Sequence, residues 1–325
     1  MLKMTLFYGK IRVLSSDKLV NSAAIFILAA IALASTFASV NGQDSGVTTW
    51  GSLGSAPGQF DDPAGIVVDP KGYVFIVDSD NDRIQKFTNN GTLVTLWGTS
   101  GSGPGQFNTP LGITINYVSG NVYVTDTGND RIQKFTNNGT FIGQWGTSGS
   151  GPGQLSNPIG IDEDESKRNV YVTDLGNNRV QRFTTNGLFV STWGSLGSGP
   201  GQFNNPGRIA VDPSGNLFVA DIGNNRIQKF DPEGKLITMW GSLGSGPGQF
   251  HNPTGMTVQF PSGKVFVADT GNSRIQEFDN DGKFIRQINA ATHFDSSDNI
   301  DLDVDSNGKI YLTDRNDDNI IILSP

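Results

Sequence analysis

Five tryptophans, the only ones in the chain, stand at positions 50, 97, 145, 193 and 240, and a glycine follows each. Their spacing of 47 or 48 residues belongs to architectures in which one supersecondary unit recurs and buries its faces against its own copies. The period holds short apolar segments rather than helical ones, so the copies are expected to close into a ring of small sheets. The repetition also bears on function. A catalytic site needs different residues converging on one place, and this chain offers nearly the same surface again and again.

One unit reads clearly over Gly201–Gly241. Strands are expected at Arg208–Asp212, Leu217–Ala220, Arg226–Phe230 and Lys235–Trp240, separated by the turn signals PSGN, DIGNN and DPEG. A four-stranded meander has two apolar faces and cannot cover both alone; stacking copies around an axis covers them. The middle strands recur six times, with Asp78, Asp126, Asp174, Asp221, Asp269 and Asp314 at equivalent positions. The expected fold is therefore all-β, a six-bladed β-propeller of four-stranded blades over residues 41–325. The sixth unit ends after its third strand. Gly46–Trp50 (GVTTW) is expected to supply the missing outer strand, so that the N-terminal strand closes the last blade.

Residues 1–40 differ from the rest. Lys3, Lys10, Arg12 and Lys18 precede an uncharged run from Leu19 to Val40. That pattern is expected of a signal peptide or of an uncleaved N-terminal membrane anchor, a transmembrane segment with its basic end inside. Both place the ring outside the cytoplasmic membrane, secreted or at the cell surface, touching membrane only through residues 19–40 if uncleaved. The chain carries 23 Lys and Arg against 31 Asp and Glu; residues 1–40 hold four of the former and one of the latter, which leaves the ring at −11. A domain so acidic, with no run of basic residues, is not expected to bind nucleic acid. Absence of cysteine excludes disulfides, thiolate metal sites and cysteine nucleophiles.

Arg83, Arg131, Arg179, Arg226 and Arg274 each lie five residues after the recurrent aspartate; Asn319 takes the place in the sixth unit. Two readings stay open: an Asp–Arg pair that braces each blade, or a ring of ligand-binding arginines. The Gly-rich connections, such as GSLGSGPGQF at 194–203, lack the Lys-Ser/Thr ending and the helix of a phosphate loop. They are expected to make tight excursions that seat Phe60, Phe107, Leu155, Phe203 and Phe250 inward.

The motif Asp-x-Gly-Asn-x-Arg-(Ile/Val)-Gln, at 126–133, 174–181, 221–228 and 269–276, resembles the NHL repeat, and six such units resemble an NHL β-propeller. The resemblance implies a module that binds proteins or ligands. Related six-bladed enzymes include the peptidylglycine amidating lyase, the streptogramin lyases and the calcium-dependent lactonases. The first two depend on histidines, which makes His251 and His293, the only two here, the candidate catalytic pair.

The leading expectation is an exported, non-enzymatic binding or scaffolding propeller that presents its loop faces to a protein, peptide or glycan. The alternative is a calcium-dependent lactonase, another hydrolase or a lyase, with its site at the central channel. No cofactor is expected beyond calcium in that second reading, which would use oxygen ligands. Its candidates are Asp162, Glu163, Asp164 and Glu165 in the third unit, with Asp295, Asp298, Asp301, Asp303 and Asp305 in the sixth. Asp301, Asp303 and Asp305 alternate and would share one strand face.

Overall fold

In the computed structural model, which describes residues 46–290, 294, 296 and 300–324, the short apolar runs form six four-stranded antiparallel sheets. The fourth blade has strands Pro206–Val211, Leu217–Asp221, Arg226–Phe230 and Leu236–Trp240. These are the expected ones, with the inner strand starting two residues earlier. The turn DIGNN is one 3₁₀ turn, Ile222–Asn224, that ends on Asn225 in the left-handed conformation (φ 51°), which asparagine tolerates better than most residues.

Six inner strands line the axis: Pro63–Val68, Pro110–Ile115, Pro158–Asp164, Pro206–Val211, Pro253–Gln259 and Asp301–Val304. Each packs on the next and the sixth on the first, so the ring is closed. Blades one and four, two and five, and three and six therefore face each other across the axis. The inner strands approach closely because of a recurrent glycine. A Cβ on Gly160 would lie 2.5 Å from the Gly207 carbonyl oxygen of the next blade, closer than real side chains come.

The core lies between blades. Phe218, Ala220 and Ile227 of blade four pack with Phe250, Met256 and Val265 of blade five. Outer strands such as Leu236–Trp240 alternate half-buried and exposed residues, as one-sided strands do. The last blade is built from both ends of the ring. Val47–Trp50 pairs antiparallel with Asn319–Leu323, with Trp50 opposite Ile320. Blade six is further joined to blade one by the Thr313 hydroxyl, which donates to the Ala64 carbonyl at 2.8 Å.

Among the described residues no helix is long and apolar enough to cross a membrane. The expected transmembrane element has no counterpart there; residues 19–40, on which it fell, lie outside the described residues.

Candidate functional site

The recurrent aspartates and arginines brace the blades. In blade four the Asp221 carboxylate, fully buried, accepts hydrogen bonds from Arg226 Nε (2.7 Å), Gln228 Nε2 (3.1 Å), Asn224 Nδ2 and the Asn204 amide. The guanidinium of Arg226 then donates to the carbonyls of Ser198, Gly199 and Gln202 in the Gly-rich connection. Blades one, two, three and five repeat the Asp–Arg pair at 2.6–2.7 Å. These arginines are consumed by the loop they hold, which favours the bracing reading over a ligand-binding ring. In the sixth blade Asp314 instead accepts from the backbone amides of Asn316 and Asp317.

Chemical diversity appears along the axis. At one equivalent position of the inner strands stand Val67, Thr114, Asp162, Ala210, Thr257 and Asp303. Two aspartates thus occupy opposite blades, each one place after a threonine. Their surroundings match. Asp162 Oδ1 accepts from the Thr114 hydroxyl (2.8 Å) and the Glu163 amide (2.8 Å), and Oδ2 from the Val211 amide (2.7 Å). Asp303 Oδ1 accepts from the Thr257 hydroxyl (2.8 Å) and the Val304 amide (2.8 Å), and Oδ2 from the Val68 amide (2.8 Å). Each carboxylate ties three successive blades together and is fixed in orientation.

Both aspartates line a cavity of about 390 Å³ at the end of the channel where the inner strands finish. Glu163 and Glu165 join the wall. The floor is Arg208, which replaces the recurrent glycine, reaches across to Asp301 (3.0 Å) and donates to the Leu111 carbonyl. Arg208 also lines a second chamber of about 340 Å³ toward the other end, so it partitions the channel. The mouth of the first chamber is spanned by Tyr117 of blade two and Phe260 of blade five, edge to face with ring centroids 6.2 Å apart. They remain 39% and 41% exposed, which places them at the rim.

Burial dominates the acid–base character of the chamber. It pushes Asp162 up to about 6 against its three hydrogen bonds. It pushes Glu163 up to about 7, with Glu165 and Asp162 adding repulsion and only the Asn116 amide and Lys134 opposing it. It pushes Asp303 up to about 7, the charge of Asp162 contributing. Burial also raises Asp301 and lowers Arg208 despite their pairing. A carboxyl whose folded pKa is raised stabilises the fold below its unfolded pKa and loses that contribution as pH climbs through the folded value. The melting temperature is therefore expected to fall from about pH 5 to about pH 8. A variant combining Asp162→Asn, Glu163→Gln and Asp303→Asn should flatten the profile; an unchanged slope, read by calorimetry, would assign the pH dependence elsewhere.

The NHL repeat matches residues 60–87, 107–135, 203–230 and 250–278, which span the inner to third strands of blades one, two, four and five. The chain is an NHL-repeat β-propeller. No curated protein matches its sequence. Among solved structures, this NHL propeller is similar to virginiamycin B lyase from Staphylococcus aureus, at 17% identity and TM-score 0.60, covering 86% of this chain and 99% of that one. A structural genomics protein of unknown function from Bacteroides thetaiotaomicron aligns at 19% identity and TM-score 0.65, over 86% and 75% of the two chains. A chain of a nidogen/laminin complex aligns at 17% identity and TM-score 0.55, over 72% and 82%. At such identities the likeness is one of fold. It corrects the leaning toward a non-enzymatic module, because a lyase is built on this ring; repetition of the outer surface is no argument against catalysis when the axis is free to vary.

The NHL propeller separates the residues that its sequence had grouped. Asp301 and Asp303 both face the channel, but Asp305 lies beyond the strand and accepts from the Asn307 and Lys309 amides of its own turn. Among the described residues no three acidic or histidine side chains converge on a metal position. Asp301 is paired with Arg208, and Asp303 is held by three donors, so Asp301, Asp303 and Asp305 do not fit a calcium cage. His251 is exposed at the start of blade five, its Nδ1 3.3 Å from the Gly271 carbonyl, and it lines neither chamber. His293, Asp295 and Asp298 lie outside the described residues. All four residues of the acidic run 162–165 line the chamber. Sequence reasoning missed Arg208, Tyr117 and Phe260. The signal for Arg208 was present: aligned inner strands read Gly65, Gly112, Gly160, Arg208, Gly255 and Asp301 at one position, and the two exceptions are the pair that meets across the axis.

Proposed function

We propose that this propeller is an enzyme whose active site is the acidic chamber of the central channel, and that it cleaves the C–O bond of a small ester or lactone. The observation that carries the reading is the opposed pair Asp162 and Asp303, fixed by matching hydrogen bonds on a cavity of small-ligand size. Carboxyls raised to about 6 and about 7 suit proton transfer near neutral pH, one group ionised while the other is still protonated. In hydrolysis, ionised Asp162 takes a proton from water as its oxygen attacks the carbonyl carbon. Protonated Asp303 gives a proton to the departing alkoxide, leaving acid and alcohol. In elimination, Asp162 takes the proton from the carbon next to the C–O bond, an alkene forms and the carboxylate leaves. Lyase activity in a propeller of the same fold supports the class.

The test is a panel of small esters and lactones with the full chain. Asp162→Asn and Asp303→Asn, each nearly isosteric, are expected to lower kcat by about 10²-fold or more, with a bell-shaped pH profile in the parent. Turnover unaffected by both substitutions, or no turnover of any ester or lactone, would overturn the reading. Incorporation of labelled oxygen from water separates hydrolysis from elimination.

A further inference from the structure

We infer that the ligand of the acidic chamber carries a cationic ammonium group, seated between the Tyr117–Phe260 pair and the carboxylates beneath it. Calling that ligand a substrate rests on the reading above; the cation itself rests on separate observations. The chamber wall includes Asp162, Glu163, Asp164, Glu165, Asp212 and Asp303, besides Asp301. Its one basic lining residue, Arg208, is already paired with Asp301. Lys134 acts on Glu163 from outside the wall, but its ammonium donates to the Thr185 carbonyl and lies over the Tyr123 ring. Beyond the Arg208–Asp301 pair the acidic groups of the chamber thus have no basic partner in its wall, and a cleft lined by one sign of charge concentrates its field.

Two oxygens make this more than an acidic patch. Glu163 is 8% exposed and Asp164 4%, yet Glu163 Oε2 and Asp164 Oδ2 have no hydrogen-bond partner. Buried carboxylate oxygens without partners are costly and call for a ligand, an ion or water. The aromatic pair completes the recognition set. Phe260 and Tyr117 come from opposite blades and meet edge to face over the opening, so a ligand in the chamber lies beneath an aromatic pair. Aromatic rings above and carboxylates below is an arrangement that holds alkylammonium groups. Burial, and then the charges of Asp303, Asp162 and Glu165, push the Tyr117 hydroxyl up.

The experiment titrates the full chain at fixed ionic strength with choline, and with 3,3-dimethylbutan-1-ol, which has the same shape and no charge. Choline is expected to bind, and the neutral alcohol to bind at least about tenfold more weakly. The double variant Tyr117→Leu/Phe260→Leu and the single variant Glu163→Gln should each weaken choline by about tenfold while the melting temperature at low pH stays unchanged. Equal affinity for the two probes, or no choline binding at roughly 10 mM, would overturn the inference. Ester cleavage that depends on Asp162, with no choline binding, would remove the cation and leave the enzyme standing. Choline binding that the variants weaken, with no ester or lactone cleaved, would do the reverse.

Discussion

Removing residues 46–51 is expected to lower the melting temperature by about 10 °C or more, whereas removing residues 41–44 should leave it nearly unchanged. The strand Val47–Trp50 is the outer strand of blade six, and it arrives from the far end of the chain. Its loss deletes Trp50, whose ring centroid lies 4.6 Å from that of Phe87 and 6.1 Å from that of Phe60 in the first blade. Truncating a buried tryptophan costs about 3–5 kcal/mol, and Trp50 is half-buried, which points to the lower end. The loss also exposes Asn319–Leu323, whose Ile320, Ile321 and Ile322 are now buried. That makes a bare apolar edge, prone to pair with another copy. Whole domains are stable by only about 5–15 kcal/mol, so the combined loss is a large fraction of the total. The ring would not fall open at once. Thr313 still donates to Ala64, and the Asp62 amide still donates to Asp318 at 2.8 Å. The expected product is a weakened, association-prone ring, visible as a lower melting temperature and higher oligomers in light scattering. Equal melting temperatures for the two truncations would show that closure does not depend on this strand.

The contrast between what the sequence told and what it hid has a physical basis. The fold was legible because the blades solve the same packing problem with nearly the same residues. Trp240 and Phe250 have counterparts in five of the six seams, and Asp221 with Arg226 recurs because each Gly-rich connection needs a brace. The missing sixth outer strand was legible for the same reason, since a period that stops short leaves a hole of known shape. The channel was not legible because it is where the copies differ, and a difference carries no periodic signal. The alternation of Asp301, Asp303 and Asp305 suggested one face. The strand ends at Val304, and Asp305 serves a turn in the manner of Asp69 and Asp212. Asp162 was visible within an acidic run. Its relation to Asp303 depends on blades three and six lying opposite each other, which follows only once the ring has closed. Tyr117 and Phe260 sit in turns where an aromatic residue has no strand periodicity to betray it.

Replacing Arg208 with methionine is expected to destabilise the propeller by about 3–5 kcal/mol, the cost of leaving one member of a buried ion pair alone. Asp301 is only 6% exposed, and its remaining partner from another blade would be the Ile66 amide at 3.2 Å. The guanidinium's hydrogen bond to the Leu111 carbonyl would go as well. The penalty should depend on pH in a set direction. Burial already raises Asp301 in the presence of Arg208; without it the carboxyl stays protonated in the folded chain to still higher pH. The cost is then small in acid, where the carboxyl is protonated folded or unfolded, and grows as pH rises above the ordinary aspartate range. Adding Asp301→Leu to Arg208→Met should recover much of the lost stability, because well-packed apolar side chains often replace a buried ion pair without loss. A cycle of the four proteins, measured by denaturant titration at two pH values, isolates the coupling. Additive single effects would mean that the two groups do not depend on each other. The double variant is also expected to join the two chambers that Arg208 now divides, so its ligand selectivity should loosen even where its stability returns. That separates the pair's role as a partition of the channel from its role as a brace between blades four and six.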